Sequence, residues 1–271
     1  KDSQLGFEGL GSFHNYVTEA LGFGANENGK TSGLAAYGSV ITELQTIFRS
    51  FLEVDGIKVR FKRERYGVSE PNPKRAKKFE YNREKIINTS PSDTNISRSI
   101  LAYLPQDIAK TAEEVVHELF LGILQVVKNL TTHENVVFAG GLFLNVALNA
   151  KIEKSRLFKN HHFSMAPGDS GLALGAAFYE YAKHQRLILG KPMCPFLGPS
   201  YSSSDIEDLI AKFSLNAHKV DDPATIAAER IAAGEVVGWF QGRGEYGPRS
   251  LGNRSILADP RTNASKQRIN Q

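Results

Sequence analysis

The sequence has 271 residues, of which 41% are hydrophobic and 23% are charged, and its formal net charge is +4. This length allows one large domain or two ordinary ones, and the composition is typical of a soluble globular protein. A single cysteine, Cys194, excludes an internal disulfide framework, and no apolar run approaches the ~18–20 residues of a membrane span. We therefore expect a cytoplasmic protein without membrane contact.

The first part of the chain predicts helices and a hairpin. Apolar residues recur with helical spacing over residues 12–21 and 40–54. The Asp55-Gly56 pair is a turn signal between two short alternating runs, which predicts a β-hairpin. Residues 29–31 resemble the end of a phosphate loop, but the full spacing back to Gly24 is taken to fail and no clear strand precedes them, so a true phosphate loop is not favoured. Contact between Lys30 and an anion, and packing of this loop on another lobe, are equally open.

The basic excess of the chain is local. Residues 58–85 contain eleven lysines and arginines against four acidic residues. Such a stretch can bind nucleic acid through its phosphates, but aromatic residues are sparse there. A solvated surface insert is the favoured interpretation.

The most informative stretch follows a long amphipathic helix that is predicted over residues 106–129, with Pro105 opening it. Residues 136–149 predict a buried strand, a turn at Gly140 and Gly141, and the start of a helix. Paired glycines let a ligand approach the backbone, and the N-terminus of a helix suits a phosphate. A tight turn of purely structural purpose is the alternative.

A second strand, turn and helix are predicted over residues 163–177. Asp169 lies at the turn, where its carboxylate is expected to cap the helix, to bind a metal ion, or to do both; capping is favoured for an isolated aspartate. Two such units in succession bring polar groups to the same end of a sheet, which favours a binding site there.

The last third of the chain begins with a linker that is rich in proline and glycine, followed by a capped helix from about residue 204. A further helix over 223–233 and a strand over 236–240 lead into a loop with three arginines, Arg243, Arg249 and Arg254. Arginine binds phosphate and carboxylate through two parallel hydrogen bonds. An oxyanion site is favoured over a surface loop that is held by an arginine–glutamate pair.

Four motifs, in this order and spacing, resemble the O-carbamoyltransferase family of nodulation-factor and antibiotic-tailoring enzymes. They are GKTSGLAAYG (29–38), AGGLFLNVALN (139–149), PGDSGLALGAA (167–177) and EYGPRSLGNRS (245–255). The last motif is the most specific, whereas the glycine turn alone fits many actin-like ATPases.

The resemblance implies an α/β fold in two parts. Residues 1–190 resemble the second lobe of an actin-like domain (ASKHA, ribonuclease-H-like, here Kae1-like) that carries residues 58–85 as a basic insert. A linker over 191–204 precedes residues 205–271, which resemble the start of a YrdC-like domain. The resemblance also implies a fragment that lacks the N-terminal lobe and the end of the YrdC-like domain.

The resemblance further implies a reaction. The YrdC-like domain makes carbamoyl adenylate from carbamoyl phosphate and ATP with release of pyrophosphate, and the Kae1-like domain transfers the carbamoyl group to the hydroxyl of a small acceptor. A divalent metal assists, typically iron, with magnesium an option for adenylation. The implied residues are Asp169 for the metal, Gly140, Gly141, Asn145 and Lys30 for the nucleotide, and Arg243, Arg249, Arg254 and Ser255 for catalysis at the adenylate.

The metal site departs from the family pattern. The paired metal-binding histidines of the family lie upstream of residue 1, and the adjacent His161 and His162 do not have the His-x-x-x-His spacing. The chain alone is therefore expected to bind metal poorly and not to catalyse repeated carbamoyl transfer. Steady carbamoyl transfer by the 271-residue chain would contradict this expectation.

Two other functions remain open from the sequence. A nucleotide- or RNA-binding module would use the basic stretch, and salt-dependent RNA binding that is lost when residues 74–78 are neutralised would favour it. A plain actin-like ATPase would leave the motif around Arg249 and Arg254 unexplained.

Overall fold

The computed structural model describes residues 9–24, 27–61, 100, 102–185 and 194–269. The chain divides into two compact units, Lys1–Gly168 and Asp169–Gln271. Each unit mixes helices with short strands, which confirms the α/β prediction. Within the described ranges, no helix is both long enough and apolar enough to cross a membrane. Most of the predicted basic insert and the start of the predicted linker lie outside the described residues, so the linker boundary stays a prediction.

Helix α4, Pro105–Asn129, is the central element of the first unit. Helices α1 (Leu10–Ala20), α2 (Asn28–Ala35) and α3 (Thr42–Ser50) pack against it. Pro105 begins α4 as predicted, because its ring fixes a helical φ and keeps the preceding residue extended. The apolar face of α4 is buried over its first half and at Leu124 and is partly buried at the apolar positions between and after these, which confirms the predicted amphipathic helix.

The predicted hairpin is also present. Strands β1 (Leu52–Asp55) and β2 (Lys58–Phe61) pair antiparallel, and Gly56 takes a φ of 58° in the turn. The helix that was predicted to reach residue 54 ends at Ser50, because β1 uses the following residues. Phe13 of α1 lies 5.4, 6.4 and 5.9 Å, between ring centroids, from three further phenylalanines, Phe48, Phe51 and Phe61. Each such aromatic pair adds about 0.5–1.5 kcal/mol to the stability gained from burial.

Strands β3 (Asn135–Phe138) and β4 (Asn160–Phe163) pair in parallel, and helix α5 (Val146–Ser155) connects them. The rings of Phe138 and Phe163 stack with their centroids 4.9 Å apart. The prediction of a fully buried strand is wrong for β3, because Val137 is 71% exposed. Alternate side chains of a strand point to opposite faces, and only the face that carries Phe138 packs on the core of this unit.

The second unit contains helices α6 (Leu172–His184), α7 (Ser203–Phe213), α8 (Pro223–Ala232) and α9 (Asn263–Ile269). Strand β5, Val237–Phe240, was predicted and pairs antiparallel with β6, Arg254–Leu257. A reciprocal capping box between Ser202 and Asp205 begins α7, two residues earlier than predicted. Strand β6 was predicted as loop, so two of the predicted catalytic residues lie on a strand.

Two histidines are buried in the first unit. His14 on α1 is 5% exposed and His117 on α4 is 3% exposed. Burial lowers the pKa of each imidazole to about 4; the carboxamide of Asn28 opposes this at His14, and the charge of Lys151 adds to it at His117. Lys110 and His14 also lower the pKa of His117, whereas Glu114 raises it. Both imidazoles are therefore neutral in the folded chain at pH 7.

These histidines predict a loss of stability in mild acid. The unfolded chain binds their protons near pH 6.5 but the folded chain only near pH 4, so stability is complete above pH 6.5 and decreases as the pH falls towards 4. We expect the free energy of unfolding in urea to fall by on the order of 2 kcal/mol between pH 7 and pH 5.

The double variant His14→Phe, His117→Leu should lose much less over the same range. The control His133→Ala removes an exposed histidine and should keep the wild-type dependence. Equal pH dependence in the double variant and the wild type would contradict the assignment.

Candidate functional site

The glycine turn after β3 is sharp and open. Gly140 has a φ of 115°, which favours glycine, and its N–H donates to the carbonyl oxygen of Pro167 at 2.7 Å. A Cβ atom on Gly140 or Gly141 would meet nothing within 4 Å, and the φ of Gly141 is not positive. Neither backbone conformation nor packing therefore requires glycine at position 141, and the space beside it is open.

The helix after this turn begins later than predicted. A 3-10 turn, Gly141–Leu144, separates the glycines from α5, and Asn145 caps α5. The Oδ1 atom of Asn145 accepts from the N–H groups of Ala147 and Leu148, each at 3.0 Å. Asn145 thus has a structural task that the sequence did not indicate, and its contact with a nucleotide stays a prediction.

The nitrogen of the Asn145 carboxamide is hydrogen-bonded to Glu113 on α4. The Nδ2 atom of Asn145 donates to Glu113 Oε1 at 2.8 Å. Burial raises the pKa of Glu113, although Ser32, the hydrogen bond from Asn145 and the charges of Lys110 and Lys151 oppose the rise. The sequence analysis missed Glu113; the available signal was an acidic residue among the apolar positions of α4.

Lys30 lies in helix α2 and not in a loop. It is exposed, and its Nζ lies 2.5 Å from Glu27 Oε1 and 6.0 Å from the ring centroid of Phe23. Residues 24–31 do have the full G-x-x-x-x-G-K-T spacing of a phosphate loop, but helix α1 precedes them where a strand is needed. The hydroxyl of Thr31 is buried and donates to Thr18 at 2.8 Å. The stretch is therefore not a phosphate loop.

Asp169 opens the second unit in a short 3-10 turn, Asp169–Gly171, and is exposed. The prediction that it caps the following helix is wrong: the cap position of α6 is Gly171, without a side-chain bond, because the 3-10 turn separates Asp169 from the helix. Among the described residues, no group of three or more His, Cys, Asp or Glu side chains is placed to hold a metal. Asp169 thus offers a single carboxylate, which does not by itself make a metal site, and metal binding there stays a prediction.

Glu245 organises the arginine loop. Its buried carboxylate accepts from the backbone N–H groups of Leu251, Asn253 and Arg254 at 2.8, 2.7 and 3.3 Å. Burial alone would raise the pKa of Glu245, but these N–H groups and the charge of Arg254 lower it overall. The carboxylate therefore holds one face of the loop while it stays ionised.

The predicted catalytic arginines have different roles in the structure. Arg243 donates to the carbonyl oxygens of Gly198 and Leu197 at 2.8 and 3.2 Å, so it fastens the preceding segment to the loop. Arg254 donates to the carbonyl oxygen of Gly247 at 3.0 Å from its place on β6. Arg249 is exposed on the loop between them.

A shallow, open groove of about 800 Å³ lies along the β5–β6 hairpin. It is lined by Gly238, Trp239, Phe240, Gly247, Pro248, Ser250, Arg254, Ser255 and Ile256. Its lining includes two of the predicted catalytic residues, Arg254 and Ser255, which are neighbours on β6, but not Arg243 or Arg249. Trp239, which the sequence analysis did not assign to a site, lies opposite Ser255 in the strand register and adds an aromatic surface.

The Asp169 turn reaches the same loop within the second unit. The hydroxyl of Tyr246 donates to the carbonyl oxygen of Ser170 at 3.2 Å. Ser170, which follows the predicted metal ligand Asp169, thus contacts Tyr246 of the arginine loop directly.

Comparison with known proteins places the chain in a family. The family model Carbamoyltransferase N-terminus matches residues 3–178, and Carbamoyltransferase C-terminus matches residues 228–271. The first match covers more than half of the chain, so the chain belongs to the carbamoyltransferase family. The predicted resemblance is confirmed.

Three relatives illustrate the match. Nodulation protein NolNO of Sinorhizobium fredii is 32% identical over 97% of this chain and 37% of its own length. Nodulation protein NolO of Bradyrhizobium diazoefficiens is 32% identical over 96% of this chain and 45% of its own length. An uncharacterised protein of Methanocaldococcus jannaschii is 31% identical over 96% of this chain and 41% of its own length. The chain thus spans less than half the length of each of these relatives.

Loss of the Glu245 carboxylate should loosen the arginine loop. In Glu245→Ala, the amides of Leu251, Asn253 and Arg254 lose their acceptor, and we expect their hydrogen exchange to rise by about tenfold or more. The control Glu207→Ala removes an exposed glutamate that pairs with Lys219 and should leave these amides unchanged. Unchanged exchange in Glu245→Ala would show that the loop does not depend on this carboxylate.

Proposed function

We propose that the protein carrying this chain is an ATP-dependent O-carbamoyltransferase. The observation that carries the proposal is the open groove along β5 and β6, which Arg254 and Ser255 of the family motif help to line, in a chain whose two ends both match carbamoyltransferase models. In this proposal the first part of the chain is an actin-like lobe and the last part begins a YrdC-like domain.

The proposed reaction has three steps. Water cleaves the P–O bond of carbamoyl phosphate, which gives carbamate and phosphate. A carbamate oxygen attacks the α-phosphorus of ATP, and pyrophosphate leaves, so that carbamoyl adenylate forms. The hydroxyl oxygen of a small acceptor then attacks the carbamoyl carbon, AMP leaves, and the hydroxyl proton passes to solvent.

The residues of the second unit fit the adenylation step. Negative charge builds up on the phosphates as pyrophosphate leaves, and a fixed guanidinium such as Arg254 stabilises it. Ser255 and Trp239 lie opposite each other in the register of β5 and β6, so that a hydroxyl donor and an aromatic face on which an adenine ring can stack share one face of the hairpin.

The open glycine turn of the first unit fits a nucleotide. Gly141 has no side chain, and the space beside it is open. A phosphate can therefore approach the backbone there, whereas a side chain at this position would block it. A divalent metal at Asp169, iron for transfer or magnesium for adenylation, belongs to the proposal, but one carboxylate is an incomplete ligand set. We therefore assign no step to the metal.

Exchange of labelled pyrophosphate into ATP tests the proposal. The intact protein should catalyse this exchange only when carbamoyl phosphate is present, because the adenylate must form before it can be reversed. Exchange without carbamoyl phosphate, or no exchange at all, would overturn the proposed adenylation.

Arg254→Ala should reduce this exchange by about 100-fold, since it removes a donor aimed at the developing charge. Arg254→Lys should recover part of the rate, because it restores the charge but not the planar pair of donors. The matched control Arg230→Ala removes an exposed arginine that pairs with Glu235, and its rate should equal that of the wild type. A wild-type rate in Arg254→Ala would exclude the guanidinium from the reaction.

Gly141→Ala should separate ligand binding from folding. The added methyl group meets no protein atom within 4 Å, so the melting temperature should not fall. The affinity for ATP, measured by titration calorimetry, should fall about tenfold, which is about 1.4 kcal/mol. Gly122→Ala on α4, which also has open space, should keep wild-type affinity; equal affinities in both variants would remove the nucleotide from this turn.

A further inference from the structure

Two of the family motifs lie against helix α4, which carries a buried carboxyl. The GKTSGLAAYG motif forms α2, and the AGGLFLNVALN motif forms the glycine turn with its 3-10 turn and cap. The helix α2 of the first motif packs against α4, and Asn145 of the second motif donates to Glu113, which is 5% exposed on α4. Glu113 itself belongs to neither motif.

Asn145 has little freedom in this arrangement. Its Oδ1 atom accepts from two N–H groups of α5, and its Nδ2 atom donates to Glu113. Rotation of the carboxamide by half a turn would place its NH₂ group against the N–H groups of α5 and its oxygen against the carboxyl oxygen. The Glu113 carboxyl and the N–H groups of α5 therefore fix the orientation of the Asn145 carboxamide together.

The cap in turn fixes the glycine turn. The N–H of Asn145 donates to the carbonyl oxygen of Leu142 at 3.1 Å, and the N–H of Phe143 donates to that of Gly140 at 3.1 Å. Both bonds close the 3-10 turn between the glycines and Asn145. Movement of Asn145 would therefore open the turn at Gly140 and Gly141.

We propose that Glu113 is a positioning residue for the nucleotide site: its carboxyl, which accepts a hydrogen bond from Asn145, keeps the glycine turn in its ligand-binding shape. This inference rests on the proposed function for its ligand, ATP. It assigns Glu113 no contact with the nucleotide.

Stability alone is a poor reason for a carboxyl at this position. Burying a carboxyl costs free energy. An apolar side chain would fill the same volume among the neighbours of α4. What the carboxyl adds is an acceptor oxygen for Asn145 Nδ2, and this oxygen favours one orientation of the carboxamide.

The test compares ATP affinity and hydrogen exchange in variants of the intact protein. Glu113→Ala should bind ATP about tenfold more weakly than the wild type. Without ATP, its amides over residues 141–148 should exchange faster. Glu113→Gln should restore both the affinity and the protection to near wild-type levels, because it keeps the acceptor oxygen.

Two controls separate positioning from folding. Glu118→Ala removes a glutamate of the same helix that pairs with Arg49 on the surface, and both readouts should remain at wild-type values. Val115→Ala creates a cavity at a fully buried position of α4 and should lower the melting temperature without weakening ATP binding.

The outcomes are distinct. Wild-type affinity and wild-type exchange in Glu113→Ala would overturn the role of Glu113. A loss of affinity in Val115→Ala as large as that in Glu113→Ala, at the same loss of melting temperature, would also overturn it. A wild type that binds no ATP would instead overturn the proposed nucleotide site. The hydrogen-exchange data alone would then show whether Glu113 holds the turn.

Discussion

Hydrogen bonds to a buried glutamate fix the backbone at each candidate site. In the first unit, Glu113 orients Asn145 and thereby holds the glycine turn. In the second unit, Glu245 accepts from three successive parts of the arginine loop. The glycine turn and the part of the arginine loop before β6 are irregular backbone, where no ladder of helix or strand hydrogen bonds holds the chain. A buried acceptor replaces that ladder and keeps the site in one geometry.

Local signals in the sequence were sufficient for most of the regular elements. Pro105 and the apolar spacing after it predicted α4, and the Asp55-Gly56 pair predicted the hairpin, because these patterns act over a few residues. Strand β6 was missed because its residues lie in a stretch rich in glycine and arginine and become a strand only through pairing with β5. The exposure of Val137 was missed because alternation in β3 is too short to show which face is covered.

The candidate sites were predicted in part. The motifs located the glycine turn and the arginine loop, and the family match confirms the resemblance on which their interpretation was based. Glu113 was not found because its partner Asn145 lies 32 positions downstream; only the fold brings them together. The 3-10 turn beside Asp169 was not found because three residues of polar and small side chains have no distinctive pattern.

The central claim is that the chemistry occurs at the α-phosphorus of ATP and produces a carbamoyl adenylate. The most direct measurement incubates the intact protein with ATP and carbamoyl phosphate labelled with ¹³C, without an acceptor, and identifies the nucleotide products by mass spectrometry. The account predicts an adenylate that carries the ¹³C carbamoyl group, together with an equal amount of pyrophosphate. Formation of ADP and phosphate without any labelled adenylate would contradict it and would indicate an ATPase.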